Sequence, residues 1–455
     1  MTKKAITLFL LATFILGSGF GCKTGDKKTQ EALKPVTLTY WRVFDGPDAF
    51  SEIIQKYNAL HPNITINYRK LRYEEYESEL LNALAEDRGL DIFSIHNTWM
   101  KKYESKLAPL PKTITLAYQV TQGTIKKEVV QKLQTTNSLT TRELRDNFVD
   151  VVSSDVILSD GQIYGLPLSV DTLAMYYNKD LFNQAGISDI PSYWNNDFVQ
   201  TVKKITLQNA QKELVQSGVA LGGGKNINRA SDILSVLMLQ SGATIMNERG
   251  QVLFNVPNNN AYTPGLDALR FYADFSDPAK ESYSWNNTLP NSLEMFMNGT
   301  LGIMFSYSYD LPTIKAQAPK LNFSVAKLPQ IEGNPPTNIN FANYWIEVVS
   351  KKSAYTNEAW DFVQFMTKAE NVQSYLNKSK KPTALRALVA EQKKHEEIGV
   401  FADQVLTAKS WYRGKNSLAA EEAMIEMISA ANSVPTDKLK DVAGIGAAKI
   451  QQTVY

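Results

Sequence analysis

The sequence predicts an α/β protein, and three observations carry that prediction. The first is an alternation of strand, helix, strand, helix and strand between Val36 and Trp99, the pattern of a parallel sheet covered by helices. The second is a composition of 44% hydrophobic and 10% aromatic residues, which is enough for two or three buried cores in a chain of 455 residues. The third is the single cysteine, Cys22; no disulfide within the chain can stand in for those cores.

The elements follow in order. VTLTYW, from Val36 to Trp41, alternates as a strand and runs into the loop VFDGPDA. Phe50, Ile53, Ile54, Tyr57 and Leu60 then share one helical face before HPN ends the helix. ITINYRK is a second strand, Tyr73, Tyr76, Leu80, Leu81 and Leu84 line a second helix, and GLDIFSIHNTW is a third strand ending in a polar and aromatic loop. Ligands of parallel sheets sit at the carboxyl ends of the strands, which places Trp41 with the loop from Arg42 to Asp48, and His96 to Trp99, on a functional rim. Trp41, Asp45, Asn97 and Trp99 are the candidate ligand contacts there, with Asn343 as a further polar partner. Residues 111–150 are expected to be mainly helical and polar.

YGLPLSVDTLAMYYNKDLF, from Tyr164 to Phe182, reads as two buried strands in succession, yet it carries Asp171 near its centre. A buried lone carboxylate costs several kcal/mol unless something meets it. Asn178 can cap the helix that follows, and Gly186 can end it. Trp194, Phe198, Val202 and Ile205 share the next helical face, ASDILSVLMLQSG is a further helix, and another lies around Gly265 to Phe275. NSLEMFMNGTLGIMFSYSYD and the strand LNFSVAKLP precede NFANYWIEVVSKKS, which reads as a strand into a loop. EAWDFVQFM buries Ala359, Phe362, Val363 and Met366, and the last 60 residues are helical.

At the N-terminus MTKK is followed by AITLFLLATFIL, an apolar run too short to span a bilayer of about 30 Å but suited to a signal-peptide core. Cys22 ends the small-residue stretch that comes next, so the segment resembles a bacterial lipoprotein signal; an ordinary secretory signal is the other reading. Residues 22–35 then form a polar, lipid-anchored tether. Removal of residues 1–21 takes away Lys3 and Lys4 and leaves 46 basic against 46 acidic residues. A neutral surface without a long basic run argues against nucleic acid as partner. His61, His96 and His395 have no cysteine or second histidine beside them, so no metal is expected. LGGGKN and AGIGAAKI depart from the phosphate-loop and dinucleotide patterns and read as turns or helix ends; no cofactor is expected.

Seven segments in order, from the Trp41 strand through DIFSI, the Asp171 stretch, PSYWNNDF, FMNGTLGIMFSYSYD and FSVAKLP to Tyr344–Met366, resemble the extracellular solute-binding proteins of bacterial ABC importers, in the family containing maltose-binding protein. The resemblance implies a two-lobe periplasmic-binding-protein-like fold of type II, with discontinuous lobes around a hinge and ligand cleft. It places the first lobe at residues 36–168 plus 343–407 and the second at 169–342 plus 408–455, with crossings near Pro167 to Val170, Asn338 to Ala342 and Leu406 to Ser410. It also puts Asp171 where family members accept sugar hydroxyls and Tyr307 where they stack an aromatic ring on sugar, and it brings Trp345, Trp411 and Tyr412 close to the cleft. A flat ring can bury the C–H face of a sugar, and an ionised carboxylate can accept two hydroxyls. Core packing is the other reading of each aromatic, and it is preferred for Trp194 and Trp360 on their helical faces.

The function so implied is a monomeric, lipid-anchored extracytoplasmic receptor, not an enzyme, that captures a sugar or oligosaccharide and hands it to ABC permease subunits. A non-sugar cargo such as a peptide, polyamine or anion, and a secreted glycan-active enzyme, remain as alternatives.

Overall fold

The computed structural model describes residues 31–455 except 87, 88, 125, 259, 260, 334 and 336. Cys22 and the signal segment lie outside the described residues. The expected alternation is present: β1 (Val36–Val43), β2 (Ile64–Leu71) and β3 (Ile92–His96) are separated by helices Ser51–Leu60 and Tyr73–Ala85, and β1 pairs in parallel with both neighbours. The first four residues of β3 are buried, as a strand covered on both faces requires. On the second helix Tyr76, Leu80 and Leu84 point inward, whereas Tyr73 and Leu81 are exposed; the buried stripe is narrower than the sequence suggested.

Residues 111–150 correct the expectation of a mainly helical segment. They open as a two-stranded hairpin, β4 (Thr113–Gln122) against β5 (Glu128–Asn137), and only then become helical at Thr141–Asn147 and Asp150–Val156. Ile114 and Leu116 of β4 are buried, but β5 leaves most of its side chains in solvent. A strand with no apolar face to bury carries no period-two signal, and its polar composition misled the reading. Tyr118 and His61 pin the hairpin base: the tyrosine hydroxyl donates to Asp361 at 2.9 Å, and the imidazole Nδ1 lies 3.0 Å from the Ala117 carbonyl.

The chain continues through β6 (Asp171–Thr172), β7 (Ala174–Asn178), β8 (Leu207–Gln208), β9 (Leu214–Val219), β10 (Leu301–Ser306) and β11 (Phe323–Ala326). The Asn178 side chain accepts from the Asp180 and Leu181 amides and starts helix Lys179–Gln184 as expected. NFANYWIEVVSKKS holds two strands rather than one, β12 (Asn340–Asn343) and β13 (Trp345–Val349), with Tyr344 between them, and β14 (Ala408–Lys409) is the last. The sheets are ordered β13-β3-β1-β2, β11-β7-β10-β9-β8, and β14-β12-β6. LGGGKN is a loop, in which Gly222 has the left-handed φ of +92°. AGIGAAKI lies inside helix Leu439–Gln452, where Gly446 lets Met427 approach; it is neither a turn nor a helix end.

Two hydrophobic cores result. One gathers residues between Val36 and Val170 and between Ala342 and Ala408; the other gathers residues between Leu173 and Phe341, Phe401, and the segment from Tyr412 to Val454. Trp360 is wholly buried in the first and Trp194 is partly buried against the second, as the core reading has it. A buried charge network crosses the first core. Arg42 Nη1 lies 3.1 Å from Glu347, Arg42 Nη2 lies 3.3 Å from Asp45, and the Tyr40 hydroxyl donates to Glu347 at 2.7 Å. Removing one partner of such a pair strands the other charge. Glu347→Ala should therefore cost ~3–5 kcal/mol in urea unfolding; a loss under ~1 kcal/mol would mean that Asp45 alone satisfies Arg42.

Candidate functional site

The third sheet is where the two cores meet. Asp171 of β6 stands opposite Asn343 of β12, Ala342 opposite Thr172, and Asn340 and Phe341 of β12 pair in parallel with β14. All three passages of the chain between the cores thus run side by side in one small ladder.

Asp171 is half-buried at the edge of this ladder. Its carboxylate accepts from the Ser308 amide at 3.0 Å, the Ser308 hydroxyl at 2.7 Å and the Thr172 amide at 2.9 Å. Among the described residues no lysine or arginine forms an ion pair with it. Burial pushes its pKa up to about 6, although the Ser308 bonds and, more distantly, the Lys381 charge pull the other way. The group that meets the charge in the apolar stretch is therefore a neutral donor pair from the loop after β10, not a cation.

A chain of contacts leads from Asp171 to an aromatic wall. Asn343 Oδ1 lies 3.0 Å from His96 Nε2, and His96 Nδ1 lies 2.7 Å from the Thr98 hydroxyl. Burial, with the Arg229 charge adding to it, holds the imidazole down at about 4, so it is neutral and donates from Nε2 to the amide. Trp345, half-buried on β13, packs edge-on at 5.7 Å from His96, 5.5 Å from Trp99 and 5.8 Å from Phe44. Phe44 stacks on Tyr73 at 5.6 Å, and these two rings are about half exposed, 51% and 53%. Phe44 also has a φ of 64°. A bulky residue in the left-handed region is strained, and such strain concentrates at ligand sites.

On either side of Ser308, which binds Asp171, the loop after β10 carries two further rings. Tyr307 is fully buried, its hydroxyl donating to Asp232 at 2.6 Å, and Arg229 donates to the same carboxylate oxygen at 2.6 and 2.8 Å. Tyr309 stacks on Tyr307 at 5.6 Å and is 47% exposed. Burial raises the pKa of Tyr73, and the Glu421 charge adds to the rise while that of Arg229 opposes it.

Several candidate residues are placed elsewhere. Tyr307 offers no free face in this conformation; the exposed ring is that of Tyr309, two residues on. Trp41 is buried between β2 and β3 with the Arg69 guanidinium over its ring at 5.1 Å. Asp45 is buried and saturated by Lys381 at 2.7 and 2.9 Å, Arg42 at 3.3 Å and the Tyr375 hydroxyl at 3.0 Å. Asn97 is buried and donates to Asp155 at 3.2 Å. Tyr412 is buried, and its hydroxyl donates to Thr453. Asp45, Asn97, Tyr307 and Tyr412 sit at a strand end or crossing as read, whereas Trp41 lies two residues inside β1; the side chain of each turns inward. Trp411, Trp99 and Asn343 are half-buried, and Trp411 donates to the Ser235 hydroxyl at 3.0 Å. Phe44, Tyr73 and Tyr309 went unread; of these only Phe44 lay in a segment marked as rim. No group of three metal-ligating side chains occurs among the described residues, and no described helix is long and apolar enough to cross a membrane.

Comparison with known proteins agrees with this architecture. A multiple sugar-binding protein of Streptococcus mutans is 26% identical over 50% of this chain and 52% of its own length. The sn-glycerol-3-phosphate-binding periplasmic protein of Salmonella typhimurium is 23% identical over 77% of this chain and 75% of its own. The crystal structure of the cyclic alpha-maltosyl-1,6-maltose binding protein from Arthrobacter globiformis superimposes with a TM-score of 0.72 at 19% identity, covering 92% of this chain and all of that one, so the two share the two-lobe fold. The pattern of bacterial extracellular solute-binding proteins matches residues 45–373. The family read from the seven ordered segments is thus borne out, and the chain belongs to the bacterial extracellular solute-binding proteins.

Proposed function

We propose that this protein captures an uncharged sugar or oligosaccharide between its two lobes and delivers it to the permease of an ABC importer. The observation that carries the proposal is the adjacency of an uncompensated carboxylate, Asp171, and a wall of partly exposed rings, linked through Asn343 and His96. Carboxylate oxygens take hydroxyl donors and rings take the C–H face, which together are the two surfaces of a pyranose. The lobes are assigned to residues 36–168 plus 343–407 and 169–342 plus 408–455, with helix Gly399–Gln404 reaching across, since its Phe401 lies in the second core. Ligand touching both lobes favours the closed form, and that form is what the permease binds. The protein acts as a monomer tethered through a lipid on Cys22.

The charges support a neutral cargo. Arg229 is committed to Asp232, Arg413 to Asp155 and Lys381 to Asp45. A phosphate or carboxylate entering beside Asp171 would meet no free cation among these and would be repelled by the carboxylate.

A thermal-shift panel of mono- and oligosaccharides tests the reading, since a ligand at 100 times its Kd stabilises by about 2.7 kcal/mol. At least one neutral sugar should raise the melting temperature and sn-glycerol 3-phosphate should not; stabilisation by the phosphate alone would contradict the proposal. Asp171→Ala should weaken that sugar about ten- to hundredfold, the loss of one or two charge-assisted bonds. Phe44→Ala and Tyr309→Ala should each weaken it about fivefold, as loss of a ring contact of ~1 kcal/mol does, with unliganded stability changed by less than ~0.5 kcal/mol.

The raised pKa of Asp171 predicts a pH effect. A carboxyl that holds its proton more tightly folded than unfolded contributes stability below about pH 4, and that contribution is lost as pH rises through about 6. Asp171→Asn, which keeps a neutral group at all pH values, should gain stability relative to the parent between pH 4 and 7; a difference that stays flat across that window would mean the carboxylate is not desolvated.

A further inference from the structure

Beside the ladder of crossing strands and helix Gly399–Gln404, a further tie joins the two lobes. Asp155, on helix Asp150–Val156 of the first lobe, has no exposed side-chain surface. Its Oδ2 accepts from the Tyr344 hydroxyl at 2.6 Å and the Asn97 amide at 3.2 Å, both within or beside the first core. Its Oδ1 accepts from the Ser410 hydroxyl at 2.6 Å and lies 2.6 Å from Arg413 Nη2. Ser410 directly follows β14 at the end of the third crossing, and Arg413 lies past it. The residues between them belong to the other lobe: Trp411 donates to Ser235 on helix Ala230–Gln240, and Tyr412 is buried with its hydroxyl on Thr453. One carboxylate thus holds the first lobe with one oxygen and the second lobe with the other. It lies close to His96, whose neighbour in the chain, Asn97, is one of its donors.

We propose that the Asp155–Arg413 pair is a latch that sets the angle between the lobes and so positions the two halves of the sugar site without touching sugar. The ladder permits rotation because its strands are two to four residues long, whereas a charge-assisted contact between a buried carboxylate and a partly exposed guanidinium is made or broken as a unit. The lobes pre-organised by the latch bind cargo more tightly, because affinity scales with the fraction of molecules in the binding-competent state. Arg413 is a positioning residue in this scheme. Removing it leaves Asp155 three hydrogen-bond donors but no counter-charge, so Arg413→Met lowers the melting temperature as well, and the interlobe distance is the readout that separates the latch from that cost.

The latch rests on the receptor reading, but it is tested without sugar, so the two fail separately. Spin labels at Asn82→Cys on the first lobe and Lys320→Cys on the second, in a Cys22→Ser background, report the interlobe distance in the unliganded full chain by pulsed EPR. The parent should give a narrow distribution. Arg413→Met should shift it to longer distances and broaden it, Asp155→Asn should do the same, and Arg413→Lys should restore most of the parent profile. A purely structural role would lower the melting temperature of Arg413→Met without moving the distances. Superimposable distributions for the parent and Arg413→Met, or failure of Arg413→Lys to restore, would overturn the latch.

Discussion

The structure depends on a topological constraint: the chain passes between its two cores three times, and the three passages are hydrogen-bonded to one another. Asp171 and Thr172 of β6, Asn340 to Asn343 of β12, and Ala408 and Lys409 of β14 form one ladder. Separate crossings could each bend independently. Paired crossings share their backbone bonds, so a change of angle at one is a change at all three, and the lobes can move only as bodies. Each lobe in turn is rigid because its own sheet is buried, the parallel β1 and β3 of the first and the wholly buried β10 of the second.

The ladder also sets the chemistry. A residue on a crossing strand cannot retreat into either core, so the Asp171 carboxylate stays at the seam, satisfied by Ser308 and neutralised by nothing. The cost appears as its elevated pKa. The same seam carries Asn343 to His96 and thus to Trp345, which connects the polar edge of the proposed site with its aromatic wall. Asp155 and Arg413 add a further interlobe tie beside the same seam.

Much of this was legible in the sequence, for identifiable reasons. Buried parallel strands are uniformly apolar and their covering helices are amphipathic, so β1 to β3 and the helices between them stood out. The oddity of a charge in the Asp171 stretch was legible because apolar runs rarely contain one. What sequence pattern does not carry is side-chain direction. Trp41, Asp45 and Asn97 lie on the rim that the strand-end rule marks and Tyr412 beside a crossing that the resemblance implies, yet Asp45 and Asn97 are drawn inward by Lys381 and Asp155, partners more than fifty residues away in sequence. Tyr307 and Tyr309 differ by two residues in one loop, and only the fold decides that the first is buried on Asp232 while the second is exposed. Phe44 owes its exposure to a left-handed backbone that no residue type at that position announces. The β4–β5 hairpin was missed because its outer strand has little to bury.

Two rigid lobes that close on a sugar about the three-stranded ladder would make the molecule more compact. Small-angle X-ray scattering on the protein alone, and saturated with the saccharide that gives the largest thermal shift, measures this. The radius of gyration should fall on saturation, as the cleft shuts without change of mass. Saturation with an unchanged radius of gyration would contradict it, for the sugar would then be bound by one lobe and the hinge would have no part in capture.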